Sequence, residues 1–336
     1  MGNQCIIDRE KEDLAWTYCP SFGAAVAFAV FFGLATVAHI YQAFHYRKKF
    51  CWVIILSCSW ETAGFAMRAV SAKEIYGLWH FIPQQLLIIL APIWLNAFVY
   101  MVMGRMILFL IPEQKIFGVS ARRLTLIFVS LDIFSFLIQG SSSSLMSSDD
   151  DPELVKTGIN IYMGGIGAQQ LFILLFAVLA ARFQREMTHL EATSTATTTP
   201  TVPWRRLLYT LYISLACITI RIIYRLVEYS GGMYTSIATS EAAFYCLEAV
   251  PMIIALVVFN VVHPGMVLVG EGSEFQKKSK EEKRAEKEEK RERKERRKEG
   301  KGKSRRRSHS RKRRDLEAGS DLEESEGFRM QDSLRR

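Results

Sequence analysis

The sequence predicts an all-α protein, a polytopic bundle of seven transmembrane helices followed by a charged tail. Three observations carry this. Seven segments are apolar across their full width for the roughly 20 residues that the hydrocarbon core requires. The basic residues between them fall in alternate loops. Finally, 25 of the 43 Lys and Arg and 17 of the 34 Asp and Glu crowd into residues 271–336, giving that region a formal +8 against +1 for everything before it. A soluble helix would show an apolar stripe instead of an apolar circumference.

The segments are predicted at about 20–42, 50–71, 81–104, 123–141, 159–180, 207–227 and 242–262. They divide the chain into an N-terminal segment (1–19), a membrane domain (20–268) and a tail (269–336). The first segment follows an acidic lead without the basic start of a signal peptide, so it reads as a retained helix. The Met-Gly start lacks Ser or Thr at position 6, which is Ile6, so it fails as a myristoylation site.

Loop charge sets the orientation. Arg47, Lys48 and Lys49 mark the first loop, Arg105, Lys115, Arg122 and Arg123 the third, and Arg182, Arg185, Arg205 and Arg206 the fifth. The alternate loops hold only Lys73 and Lys156, and Asp149, Asp150, Asp151 and Glu153 make the fourth acidic. The expected topology has the N-terminus outside and the C-terminus in the cytoplasm. Residues 191–203, EATSTATTTPTVP, form a polar linker. The Lys/Arg/Glu tract at 276–314 cannot bury a core, and is expected to be disordered or a single solvated helix. Next to a bilayer its basic run KSRRRSHSRKRR is expected to meet anionic inner-leaflet lipids, not nucleic acid. Nothing in the sequence identifies a protein partner.

Six cysteines include no CxxC pair, and no Walker A or HExxH motif occurs. No metal, cofactor or enzymatic activity is expected. Cys5 and Cys19 are candidates for a disulfide if the N-terminus is outside.

Ionisable residues at membrane depth usually face the bundle interior. Helical spacing groups them here. Glu61 and Arg68 share a face of the second helix with Gly64 and Phe65, and Arg68, near the outer end, has the length to snorkel. Asn96 and Tyr100 lie one turn apart in the third, where Pro92 frees a carbonyl. Asp132, Phe136 and Gln139 share a face of the fourth. Gly164, Gly165 and Gly167 precede Gln169 and Gln170 in the fifth and allow close approach. Arg221, Arg225 and Glu228 share a face of the sixth, and Glu241, Tyr245 and Glu248 one of the seventh. Two readings follow, both compatible with these positions: interhelical pairing that fixes the bundle, and a polar cavity in the outer half for a headgroup.

Several stretches carry a family resemblance. They are ETAGFAMR (61–68), QQLLIILAPIWLNAFVYMVMGR (84–105), DIFSFLIQG (132–140), GGIGAQQLFILLF (164–176), IRIIYRLVEYSGG (220–232), EAAFYCLEAVPM (241–252) and FNVVHPG (259–265). The chain resembles the fungal RTA1-like proteins, the lipid-translocating exporter family. It departs from them at Ser141–Ser144, where the family is glycine-rich, and at Glu248, where it commonly has Asp. The resemblance implies a fungal protein of the plasma membrane, or sometimes an internal membrane. It implies transport of lipids or amphiphiles such as sphingoid long-chain bases, and resistance to membrane-active toxins. The topology alone also admits a seven-helix receptor or stress sensor signalling through the tail.

Overall fold

A computed structural model describes residues 16, 18–73, 78–146, 152–193, 203–230, 236–237 and 239–270. The charged tail, most of the Thr-rich linker, Cys5 and the aspartates at 149–151 lie outside these residues.

Helix α1 (Phe22–Tyr46) starts where the Ser21 side chain caps the Ala24 amide and ends at Arg47, which takes a left-handed conformation (φ 53°). A short 3-10 turn (Lys49–Cys51) leads into α2 (Trp52–Ser71). Helix α3 (Leu78–Leu110) runs through both Pro83 and Pro92. A small antiparallel ribbon, β1 (Lys115–Ile116) and β2 (Val119–Ser120), joins it to α4 (Ala121–Met146). Phe117 and Gly118, both at positive φ, make the tight two-residue turn of that ribbon. Then come α5 (Pro152–Thr193) and α6 (Trp204–Ser230). The last span begins with α7 (Glu241–Phe244), passes through a π-turn (Tyr245–Ala249) into α8 (Val250–Val261), and closes with α9 (Pro264–Val267).

Seven of these helical stretches are long and apolar enough to cross a membrane. The chain is a multi-pass membrane protein. Consecutive spans pack side by side, α8 returns to α1, and α3 reaches α6 across the ring. Helix α1 exposes Phe31, Leu34, Val37, Tyr41 and Phe44 along one stripe, an apolar surface suited to lipid. Helix α6 is mostly enclosed. It carries Arg221 and Arg225, so the most enclosed span also bears buried charge.

Of the three α5 glycines expected to allow close approach, only Gly165 does so. A Cβ there would stand 2.8 Å from Gln139 Cγ and 3.2 Å from the Ser135 carbonyl oxygen, whereas Gly164 and Gly167 have open space. Gly165→Ala should therefore lower stability by about 1–3 kcal/mol through forced separation of α4 and α5. Gly164→Ala should be neutral or slightly stabilising, because alanine favours a helix by about 1 kcal/mol over glycine. Thermal unfolding of the two variants in detergent checks this, and equal midpoints would overturn it.

Candidate functional site

Buried polar and charged residues gather inside the bundle. They form three clusters and one cavity.

The centre is Glu248, whose position in the π-turn is the local departure from α-helix that often accompanies functional sites. Both its oxygens are taken by arginines of α6. Arg221 Nε donates to Oε1 at 2.8 Å, Arg225 Nη2 to Oε1 at 2.8 Å and Arg225 Nε to Oε2 at 3.1 Å. Arg225 Nη1 also donates to Glu228 at 3.0 Å. Arg221 reaches two further elements. Its Nη1 lies 4.0 Å from Glu61 of α2, and its Nη2 donates to the Ile88 carbonyl of α3 at 2.7 Å. That carbonyl is the one Pro92 leaves without its helical N–H. The proline thus creates an acceptor, and a guanidinium from another helix fills it. Glu61, Glu248, Arg221 and Arg225 are all buried, so this network stands in place of solvation.

The second cluster surrounds Arg68. Arg68 has the length to snorkel, but the residue is 1% exposed. Its guanidinium carbon sits 4.6 Å from the Trp16 ring, 4.2 Å from Phe244 and 5.5 Å from Tyr245. Nη2 donates to Tyr18 OH at 2.7 Å and Nε to Tyr245 OH at 3.3 Å, with Glu241 4.0 Å away. The reason Arg68 does not reach outward is that the segment before α1 folds over it: Trp16 is buried and its indole N–H donates to Ser71 Oγ. Burial pushes the Tyr18 phenol above its usual range against the opposing pull of Arg68, so its hydroxyl stays neutral.

The third cluster links α3 and α4. Asn96 Nδ2 and Tyr100 OH both donate to Asp132 Oδ2, at 2.8 and 2.9 Å.

A cavity of about 50 Å³ lies among α3, α4, α5 and α6. Gln139, Tyr162, Gln169, Arg221 and Arg225 supply its polar wall, and Pro92 and several isoleucines the rest. Gln139 Nε2 donates to Gln169 Oε1 at 3.2 Å. This volume admits a few waters. It falls short of the roughly 300–1,000 Å³ typical of ligand pockets.

All thirteen expected residues thus lie in the described bundle, but not in one site. Glu61, Arg221, Arg225, Glu228 and Glu248 form one network, and Arg68, Glu241 and Tyr245 a second. Asn96, Tyr100 and Asp132 form a third, while Gln139 and Gln169 pair on the cavity wall. Only four of them, Gln139, Gln169, Arg221 and Arg225, face the cavity. Trp16, Tyr18, Tyr162 and the Ile88 carbonyl were not anticipated. Pro92 was the one sequence signal able to reveal the last.

Fold and interior together define a polytopic helical membrane protein with a charged, hydrogen-bonded core. The chain belongs to the RTA1-like protein family, which matches residues 54–271. It is 41% identical over 272 residues to "Probable lipid transporter atnI" of Emericella nidulans, covering 79% of this chain and 71% of that one. It is 27% identical to "Protoporphyrin uptake protein 1" of Saccharomyces cerevisiae, over 73% of this chain and 90% of that one. It is 29% identical to "Lipid-translocating exporter-like protein RTA1" of Leptosphaeria maculans, over 76% of this chain and 52% of that one. No solved structure matches.

Proposed function

We propose that this protein moves lipids or related amphiphiles across the bilayer. The headgroup passes through the polar interior while the tail stays among lipid. The observation that carries this is the cavity walled by Arg221, Arg225, Gln139 and Gln169 within the spanning helices. The names of the relatives support the same class of cargo. The cavity is too small for a headgroup as it stands, so transport requires the helices around it to separate.

Sphingoid long-chain bases remain the finer candidate. Their hydroxyls suit the amide and guanidinium donors of the cavity wall. Their ammonium cannot use Glu248, which two arginines already occupy. Glu61 is better placed to receive it, because its Oε1 has no hydrogen-bond partner among the described residues. The proposed setting is the plasma membrane, with the N-terminus outside and the basic tail against the anionic inner leaflet. Cys19 is disulfide-bonded, which favours an oxidising side for the N-terminus. Transport, not catalysis, is the proposed activity.

The test is a labelled long-chain base in liposomes with and without purified protein. Faster movement between leaflets is expected, and equal rates sink the proposal. A chain ending at residue 270 should retain that rate, whereas a receptor working through its tail would lose its signalling output.

A further inference from the structure

Asp132 differs from every other carboxylate in the bundle core. Glu248 holds two arginines, and Glu61 stands 4.0 Å from one of them. Asp132 is 2% exposed and has no ion-pair partner among the described residues. Its Oδ2 receives Asn96 and Tyr100, both neutral donors. Its Oδ1 receives nothing, although it is fully enclosed. Two further enclosed oxygens are in the same position: Asn96 Oδ1, on the residue that donates to Asp132, and Ser135 Oγ, one turn along α4.

The helices packed against α4 do not supply the missing charge. From α3 the facing titratable group is Tyr100, and no charged side chain lies between Leu78 and Gly104 apart from the titratable His80 at its far end. Helix α5 has no charged residue from Thr157 to Ala181, and its only titratable group there is Tyr162. An unmatched carboxylate at membrane depth is costly, and such residues commonly mark ion or proton paths. The group lacks a positive charge, and its Oδ1 lacks a donor. A single small cation remedies both deficits at once.

We propose that Asp132 binds one small cation, a proton or a sodium ion, and that this binding drives the lipid movement proposed above. The coupling half rests on that transport reading, whereas the binding half stands on the geometry alone. Asn96 and Tyr100 are positioning residues here. They hold Oδ2 and leave Oδ1 to the cation. Because Asn96 and Tyr100 sit on α3 and Pro92 and Ile89 of the same helix line the cavity, loading of Asp132 acts on the α3–α4 contact that walls it.

Two measurements decide the binding half on purified protein without any lipid cargo. The first is pH-difference infrared spectroscopy, which reads a titrating carboxyl band directly. The second is thermal unfolding in sodium chloride against choline chloride. Asp132→Asn keeps the side-chain size and removes the charge. A proton site gives a carboxyl band present in the wild type and absent in the variant. A sodium site gives a sodium-dependent rise in midpoint that the variant loses. If neither signal depends on Asp132, the proposal is overturned and the residue is a permanently protonated packing group.

The coupling half is read in liposomes with a labelled lipid. One pH unit is a tenfold proton ratio, so one proton per cargo should raise the steady-state leaflet ratio by up to about tenfold. A tenfold sodium gradient distinguishes the other ion. Asp132→Asn should ignore both gradients. Gradient-independent movement by the wild type overturns coupling and leaves the transport reading intact. No movement at all overturns the transport reading and coupling together, while the infrared and unfolding arms still judge the site.

Discussion

Glu248→Ala is expected to destabilise the bundle by about 3–5 kcal/mol, the usual consequence of removing one member of a buried charge network. The variant leaves Arg221 and Arg225, each 6–7% exposed, without the carboxylate they share. Three hydrogen bonds from guanidinium nitrogens lose their acceptor together. Arg221 keeps the Ile88 carbonyl and the distant Glu61, and Arg225 keeps Glu228. Neither remaining set matches two full charges. Glu228→Gln should cost far less. Its side chain is 18% exposed, and Arg225 keeps both contacts to Glu248. Thermal unfolding in detergent reads the order, and a Glu248→Ala midpoint equal to wild type would refute it. Replacing Glu248, Arg221 and Arg225 together by leucine should recover much of the stability, since a well-packed apolar set often equals a buried ion pair. If that triple variant is stable but moves no lipid, the network serves transport as well as folding.

Much of this architecture was visible in the sequence because the bilayer imposes so simple a rule. Length and hydropathy locate all seven spans, and loop charge supports the count. The ends of α5 were not visible. It runs from Pro152 to Thr193 against an expected 159–180, because hydropathy fades where a helix leaves hydrocarbon while helix propensity does not. Residues 181–193 contain no Gly or Pro, and Arg182 pairs with Glu186 one turn on. Faces were legible too: Glu61, Gly64, Phe65 and Arg68 are all buried together, as their spacing implied. What spacing cannot give is which face meets which. The meeting of Arg221 with Glu248 spans 27 residues, and that of Arg221 with the Ile88 carbonyl spans 133. The π-turn around Glu248 has no local signature beyond Pro251 nearby. The thirteen polar residues fall into separate clusters for this reason. Periodicity sorts residues onto faces, but the order of helices around the ring separates those faces into distinct clusters.

Arg68→Ala is expected to release the chain segment before α1. The guanidinium is the post around which that segment is wound. It donates to Tyr18, stacks against Trp16, and ties both to Phe244 and Tyr245 of the last span. Desolvated cation–π contacts reach about 2 kcal/mol each, and hydrogen bonds from a charged donor about 1.5–3 kcal/mol. Their loss is partly offset because the alanine variant no longer buries a charge, so a net cost of about 2–4 kcal/mol is expected. The cost should be local at first. Trp16 keeps its bond to Ser71 and its edge contact with Phe81, and the Ser21 amide still donates to Glu241 at 2.7 Å. These are weaker holds than a charge enclosed by three rings. Oxidative footprinting read by mass spectrometry should find Trp16 protected in the wild type and reactive in the variant, well below the global unfolding temperature. Arg68→Lys should be intermediate, because an ammonium keeps the charge but cannot lie flat between rings while reaching two phenols. If Trp16 stays protected in Arg68→Ala, the segment is held by its other contacts and the arginine is only a guest beneath it. If it is released, a single buried cation is what holds Trp16 and Tyr18 against the last span.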